Sequence, residues 1–290
     1  MRDLAYIIIT PVRNEAEHVP KTIESVTSQT IRPVKWVIVN DGSTDGTGAI
    51  LDAAAQRHPW INVVHRGDRG FRKSGGGVVE AFYDGYELAR GIPWDFLVKL
   101  DGDLSFGPDY FASCFKQFRA DTELGITGGA ICAMIDGELV EESKGDPPFH
   151  VRGATKIYRR ECWQAIGSLM KAPGWDTLDE IKANMTGWRT YTLHDLKLHQ
   201  HRITGGADGS WKNWVKNGMA NYVAGYHPAF MLAKCIKRAL SGPSVTVPAG
   251  LAYGFLSGYL KRAPRTEPDV MGYVRQQQWK KLLHQPSLWG

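Results

Sequence analysis

The chain has 290 residues, 43% of them apolar and 22% charged, with a formal net charge of +5. Those shares are ordinary for a soluble globular protein, and the length allows one large domain or one domain with an appendage. The sequence has no internal repeat, no low-complexity tract, no Walker Gly-Lys-Ser/Thr motif and no correctly spaced dinucleotide fingerprint, which argues against kinase or dehydrogenase chemistry.

Residues 6–9 are a short apolar run that reads as a buried strand, ending in Thr10, Pro11, Val12, Arg13, Asn14 and Glu15. Residues 36–39 repeat the pattern and run into Asn40, Asp41, Gly42, Ser43, Thr44 and Asp45. Asp45 or Thr47 is placed to cap a helix starting near Gly48. A glycine-rich stretch with Arg72 and Lys73 precedes a helical stretch over 78–89, and its backbone and basic side chains suit an anion. Residues 96–100 read as a third buried strand, with Asp101 and Asp103 at its end and only Gly102 between them. Strands that alternate with helices and finish in polar loops predict a doubly wound α/β sheet, with ligands at the strand ends.

Two carboxylates held that close repel each other unless a cation or a shared proton relieves them. Oxygen ligands of this kind suit Mn²⁺ or Mg²⁺ bridging to substrate phosphates, so the spacing points to a metal–diphosphate site. A surface turn is the simpler alternative, since Asp-Gly is a common turn dipeptide. The four cysteines, Cys114, Cys132, Cys162 and Cys235, are too scattered for a metal pattern and read as reduced core thiols, which suits a cytoplasmic location. No basic start with a long apolar run precedes the first strand, so no secretory signal is expected.

Taken in order, residues 10–15, Ser28-Gln29-Thr30, residues 39–45 and Asp101-Gly102-Asp103 resemble family 2 glycosyltransferases of GT-A fold. The resemblance covers about the first 130 residues, with weaker matches to about residue 205. It implies an α/β, Rossmann-like GT-A domain with a mixed, mainly parallel sheet flanked by helices. It also implies an inverting, metal-dependent hexosyltransferase using a UDP-, GDP- or dTDP-linked sugar. Thr10, Pro11, Arg13, Glu15, Asp41 and Lys73 fall in the nucleotide-sugar half by this resemblance, with Asp41 on the base. Asp103 falls on the metal, and Asp101 on the metal or the donor ribose. One departure is Asn40, where the family often carries a first aspartate.

Residues 153–167 resemble the family's acceptor-lining segment, and a helix follows that ends near Gly187. Inverting transfer needs a carboxylate to take the acceptor proton. The resemblance draws it from Asp176, Asp179 or, less favoured, Glu180; Trp175 stands where an acidic residue is usual. Helix capping is the simpler role for any one of the three. An apparent strand over 190–198 leads to His199, Gln200, His201 and Arg202. His201, with His199 as alternative, is the candidate to complete the metal shell, and Arg202 to bind diphosphate oxygens.

From Trp211 onward eleven Lys and Arg stand against Glu267 and Asp269, a balance of +9 that leaves −4 for residues 1–210. A division near residue 206 is therefore expected, with a catalytic domain over 1–206 (donor half 1–130, acceptor half 131–206) and a helical, basic extension over 207–290. Residues 239–260 carry no charge, and Pro243 and Pro248 break the run too often for a membrane span. A segment lying on an anionic leaflet fits better, ahead of a buried hairpin, and nucleic acid is not expected as a partner. The resulting reading is an enzyme of polysaccharide biosynthesis, peripheral on the cytoplasmic face, whose acceptor is a lipid-linked glycan or polysaccharide precursor. A catalytically weak scaffold in a membrane glycan-assembly complex is the alternative. A nucleotidyltransferase would open with a glycine-rich Thr-Arg loop, which does not follow residues 6–9.

Overall fold

The structure is a computed structural model that describes residues 4–70, 76–142, 144–202, 210–240 and 245–290. Its first half alternates strictly: β1 (Tyr6–Val12), α1 (Val19–Thr27), β2 (Lys35–Asn40), α2 (Thr47–Arg57), β3 (Ile61–His65), α3 (Gly76–Ala89) and β4 (Phe96–Leu100). Then follow β5 (Leu104–Ser105), α4 (Tyr110–Ala120), β6 (Leu124–Ile135), β7 (Glu138–Glu141), β8 (Thr155–Arg159), α5 (Arg160–Ile166), α6 (Trp175–Met185) and β9 (Arg189–Gln200). Four helices close the chain: α7 (Ser210–Val223), α8 (Pro228–Leu240), α9 (Thr246–Leu260) and α10 (Pro268–Leu282).

Among the described residues the strands form one sheet in the order β3-β2-β1-β4-β8-β6-β9-β5, with β7 paired to β6. The β3-β2-β1-β4 half is parallel, while β8 runs antiparallel to both β4 and β6. The predicted mixed α/β sheet is the one observed. The central strands are apolar on both sides because helices cover both faces. Tyr6 and Ile8 of β1 pack with Val19 and Ile23 of α1, Leu51 of α2 and Phe111 of α4. The alternate residues Ile7 and Ile9 pack with Val79 and Phe82 of α3, Trp163 of α5 and Trp175 of α6.

Two pairings position the functional edge. The β4–β8 register sets Lys99 opposite Lys156 and Leu100 opposite Thr155, and Asp101 N donates to Ala154 O at 2.8 Å. The β5–β9 register sets Leu104 opposite Gln200, and His201 N donates to Asp103 O at 2.9 Å. The ninth strand therefore runs on to Gln200, two residues past the expected 190–198, because pairing with the short β5 extends it.

The basic C-terminal helices share a core with α6: Leu178 and Ile181 pack with Tyr222, Leu251, Phe255, Val270 and Val274. The expected division near residue 206 falls outside the described residues. No helix among the described residues is long and apolar enough to cross a membrane.

Candidate active site

The site lies along the C-terminal ends of β1, β2 and β4, where the loops leave the parallel half of the sheet. At the end of β2, Asn40 accepts from Ser43 N at 3.0 Å and lies 3.0 Å from His65 Nδ1 through its amide nitrogen. An amide can serve both contacts at once, which accounts locally for asparagine where the family often carries aspartate. The next residue, Asp41, is buried and held by two guanidiniums: Arg66 at 2.7 Å, and Arg69 at 2.9 and 2.6 Å to its two oxygens. Arg13 ties the same loop down from β1, donating to Asp41 O at 2.5 Å and to Asp68 at 2.7 Å. Thr10 is fully buried and accepts from Trp36 Nε1 at 2.9 Å, so its hydroxyl is committed to the strand end. Pro11 is half-buried beside it on β1. Lys73 lies outside the described residues.

At the end of β4, Gly102 lets the aspartate pair sit against β1: a Cβ there would come within 2.4 Å of Val12 Cγ1. Asp101 pairs with the ammonium of Lys99, which also donates to Gly153 O at 2.5 Å. Burial pushes the Asp101 carboxyl up to about 6; Lys99 opposes that rise, while Asp103 and Asp176 add to it. Burial likewise raises Asp103, against the opposing influence of its Gln200 hydrogen bond, of Lys99 and of Arg202. Asp103 Oδ2 accepts from Gln200 Nε2 at 3.1 Å, whereas Oδ1 is buried with no hydrogen-bond partner among the described residues. A carboxylate oxygen rarely stays buried and unpaired, so an orphan oxygen beside a second aspartate fits a divalent cation.

The structure does not bring His201 to these aspartates as a third ligand. Its Nε2 lies 2.9 Å from Ser105 Oγ and its Nδ1 3.3 Å from Lys21 Nζ, so both ring nitrogens are engaged. Burial, together with His199 and Lys21, lowers it to about 4 and keeps the ring neutral. His199 is its ring neighbour at 4.0 Å, and no group of three His, Cys, Asp or Glu able to hold a metal is assembled among the described residues. Arg202 does reach the edge, donating to Glu15 at 3.0 Å and to Asn14 O at 2.9 Å.

The three base candidates separate clearly. Asp179 is buried against Lys156 at 2.7 and 3.0 Å and accepts from Tyr158 at 2.6 Å. Glu180 is buried against the same Lys156 at 2.7 Å, and also against His150 at 2.9 Å and Val151 N at 2.7 Å. Burial alone would lower Lys156, but Asp179 and Glu180 outweigh it and hold the ammonium above its ordinary value. Glu180 raises His150 against its burial in the same way. Asp176 is only half-buried, and among the described residues its carboxylate has neither a hydrogen-bond nor an ion-pair partner. It packs against Gly153, where an added Cβ would lie 3.0 Å from Asp176 Oδ2, and it is close enough to raise Asp101.

Trp175, in the position where an acid was expected, opens α6 with its ring centre 5.5 Å from Lys99 Nζ and 5.6 Å from Lys156 Nζ. The ring face attracts both cations, which come from residues that sit opposite each other in the sheet. Arg66, Arg69, Lys99 and Lys156 were all missed from sequence. Signals exist for three of them: Lys99 is a charge inside a five-residue apolar strand and needs a buried partner, and Arg66 and Arg69 lie just past β3 on the ligand edge. A separate cavity of about 780 Å³, lined by Tyr83, Glu87, Lys171, Lys182, Arg265 and Glu267 among others, contains none of the expected site residues.

A sequence profile described as Glycosyl transferase family 2 matches residues 7–161. The putative glycosyltransferase EpsH of Bacillus subtilis is 26% identical over 181 residues, 57% of this chain and 50% of that protein. The polyprenol monophosphomannose synthase of Mycolicibacterium smegmatis is 30% identical over 121 residues, 41% of this chain and 43% of that protein. The chain thus spans about half the length of these curated relatives. Among solved structures, the mannosyltransferase PcManGT from Pyrobaculum calidifontis, in complex with GDP-Man and Mn²⁺, aligns over 98% of this chain and 79% of its own, with TM-score 0.55 and 18% identity. S. aureus TarS 1-349 in complex with UDP-GlcNAc aligns over 97% of this chain and 80% of its own, with TM-score 0.54 and 16% identity. Both are GT-A folds. With more than half of its length matched by that profile and its sheet shared with these enzymes, the chain belongs to glycosyl transferase family 2.

Proposed function

We propose that the chain transfers a sugar, with inversion, from a nucleoside diphosphate sugar to an acceptor hydroxyl. The observation that supports this reading is the buried oxygen of Asp103, without a hydrogen-bond partner among the described residues, beside Asp101 and near the half-buried carboxylate of Asp176. Asp103 and Asp101 would hold Mn²⁺ or Mg²⁺, which when bound offsets charge on the nucleoside diphosphate leaving group. His201 joins that set only by releasing Ser105 and Lys21. Arg202 and Arg13 lie where they can steady the diphosphate, with Glu15 orienting Arg202. Asp41, fixed by Arg66 and Arg69, takes the nucleobase end.

In the reaction the acceptor oxygen attacks the anomeric carbon from the face opposite the diphosphate. A new C–O bond forms as the anomeric carbon–phosphate oxygen bond breaks, and the hydroxyl proton passes to Asp176. One displacement inverts the configuration. UDP, GDP and dTDP are the candidate carriers; GDP-Man and UDP-GlcNAc in the two fold neighbours support that class. Lipid-linked glycans or polysaccharide precursors are the proposed acceptors, supported by the polyprenol-directed relative. Residues 1–206 form the proposed catalytic unit and 207–290 a helical extension that keeps it peripheral on the cytoplasmic face; the four free cysteines accord with a reducing compartment.

Nucleoside diphosphate binding measured by calorimetry tests the site. At pH 7.5, one of UDP, GDP or dTDP is expected to bind with Mn²⁺ and at least about tenfold more weakly with EDTA, a difference lost in Asp103→Ala. Asp101 adds a pH dependence. Its carboxyl, raised to about 6, holds a proton below that value and competes with the cation. A raised acid leaves stability untouched below its unfolded value, lowers it as pH rises toward about 6, and imposes its full cost above. Mn²⁺ is therefore expected to raise Tm more at pH 7.5 than at pH 5.5. Equal shifts at the two values would remove Asp101 from the site.

A further inference from the structure

The C-terminal helices leave an apolar face that the catalytic reading does not use. On α8, Leu232, Ile236 and Leu240 recur every four residues and are exposed; on α9, Tyr253, Leu256 and Leu260 recur at spacings of three and four and are exposed too. Their exposure runs from 51% at Ile236 to 85% at Leu260, and each row extends to an end of its helix. Trp211 of α7 joins them, half-exposed, with its ring 5.9 Å from that of Tyr253.

Helix α9 has no charged residue in its 15 positions, so it is apolar on every side. Its inner side is fully used. A Cβ added to Gly254 would lie 2.0 Å from Val215 O, and one added to Gly258 would lie 2.3 Å from Tyr222 Cγ, so α7 and α9 press backbone to backbone. An all-apolar helix with only one side covered needs something apolar on the other. At about 1.5 Å per residue it is about 22 Å long, short of the roughly 30 Å hydrocarbon core, so it can lie in an interface but not cross it.

Charge selects the occupant. Between Ser210 and Thr266 the sequence has eight Lys and Arg and no Asp or Glu. Lys237 and Arg238 stand exposed on α8 beside its apolar row, and Lys261 and Arg262 follow α9 directly, also exposed. A second copy docking by two-fold symmetry would set this basic segment against its own copy. A surface that is apolar inside and negative outside matches both features.

We propose that the outward face of α8 and α9 docks in the headgroup region of an anionic lipid bilayer, its leucines and aromatics inserted and Lys237, Arg238, Lys261 and Arg262 on the anionic headgroups. This names the surface behind the peripheral attachment proposed above. Its test needs neither donor nor acceptor, so its failure would leave the transferase reading standing.

The full chain is sedimented with vesicles of phosphatidylcholine alone and with about 30% phosphatidylglycerol added. Binding to the anionic vesicles is expected, with little to the neutral ones, and about 0.5 M salt should weaken it. The triple variant Leu232→Glu, Leu256→Glu, Leu260→Glu is expected to bind at least about tenfold more weakly while keeping its melting temperature and nucleoside diphosphate affinity. The variant Lys237→Gln, Lys261→Gln, Arg262→Gln should lose the preference for anionic vesicles. Equal binding to both vesicle types, no binding to either, or a solution dimer that the triple variant separates would each overturn the proposal; the last would assign the face to a second copy.

Discussion

Asp176→Asn is expected to lower kcat by about 10² to 10⁴ while leaving Mn²⁺ and nucleotide binding and the melting temperature unchanged. A base must be free to receive a proton, and of the three candidates Asp176 is the one whose carboxylate has no hydrogen-bond or ion-pair partner among the described residues. Asp179 and Glu180 already accept from Lys156, Tyr158, His150 and a backbone amide in a closed interior. Asparagine at 176 keeps the shape and its packing on Gly153, so lost turnover would report on the proton and not on the fold. Asp179→Asn should do the reverse, shifting stability with a much smaller effect on kcat. If Asp179→Asn lost turnover in a fully folded protein and Asp176→Asn kept it, the assignment of the base would be wrong.

The second large effect concerns stability. Lys156→Met is expected to destabilise the protein by about 3 to 5 kcal/mol in denaturant titration at pH 7.5. The lysine is fully buried and is shared by Asp179 and Glu180, so its removal leaves two carboxylates in the interior, with His150 as the remaining basic side chain paired to either among the described residues. Methionine fills the space, which separates lost charge from lost packing. In the wild type Lys156 is held above its ordinary value, so its contribution is fully present through neutral pH and is lost as pH rises from the ordinary lysine value through the raised one. In the variant the loss should shrink toward acid, where the stranded carboxylates take up protons. A cost below about 1 kcal/mol at pH 7.5 would show that the network is not load-sharing as described.

These two residues mark the limit of what the sequence makes legible. Strands β1, β2 and β4 are readable because burial on both faces demands unbroken apolar runs, and Asp101 and Asp103 stand out because they end such a run. Partner choice is not readable in the same way. Which acid Lys156 serves depends on the β4–β8 register and on how α6 lies across it, both long-range outcomes. The same holds for Asp41, whose two arginines arrive from the loop after β3. For His201 the place near the aspartates is legible in the sequence, but the direction of its ring is not: its nitrogens lie against Ser105 and Lys21. Trp175 departs from the family's acidic pattern and offers its ring face to two buried lysines, a contact with no sequence motif.

The most direct measurement is turnover of a panel of UDP-, GDP- and dTDP-sugars with a polyprenyl-linked acceptor extract, in Mn²⁺, Mg²⁺ or EDTA, for the wild type beside Asp103→Ala and Asp176→Asn. Metal-dependent transfer from one donor, with inverted configuration in the product and loss in both variants, is the predicted result. No turnover of any donor by a wild type that still binds a nucleoside diphosphate would contradict the enzymatic account and favour a scaffold in a glycan-assembly complex.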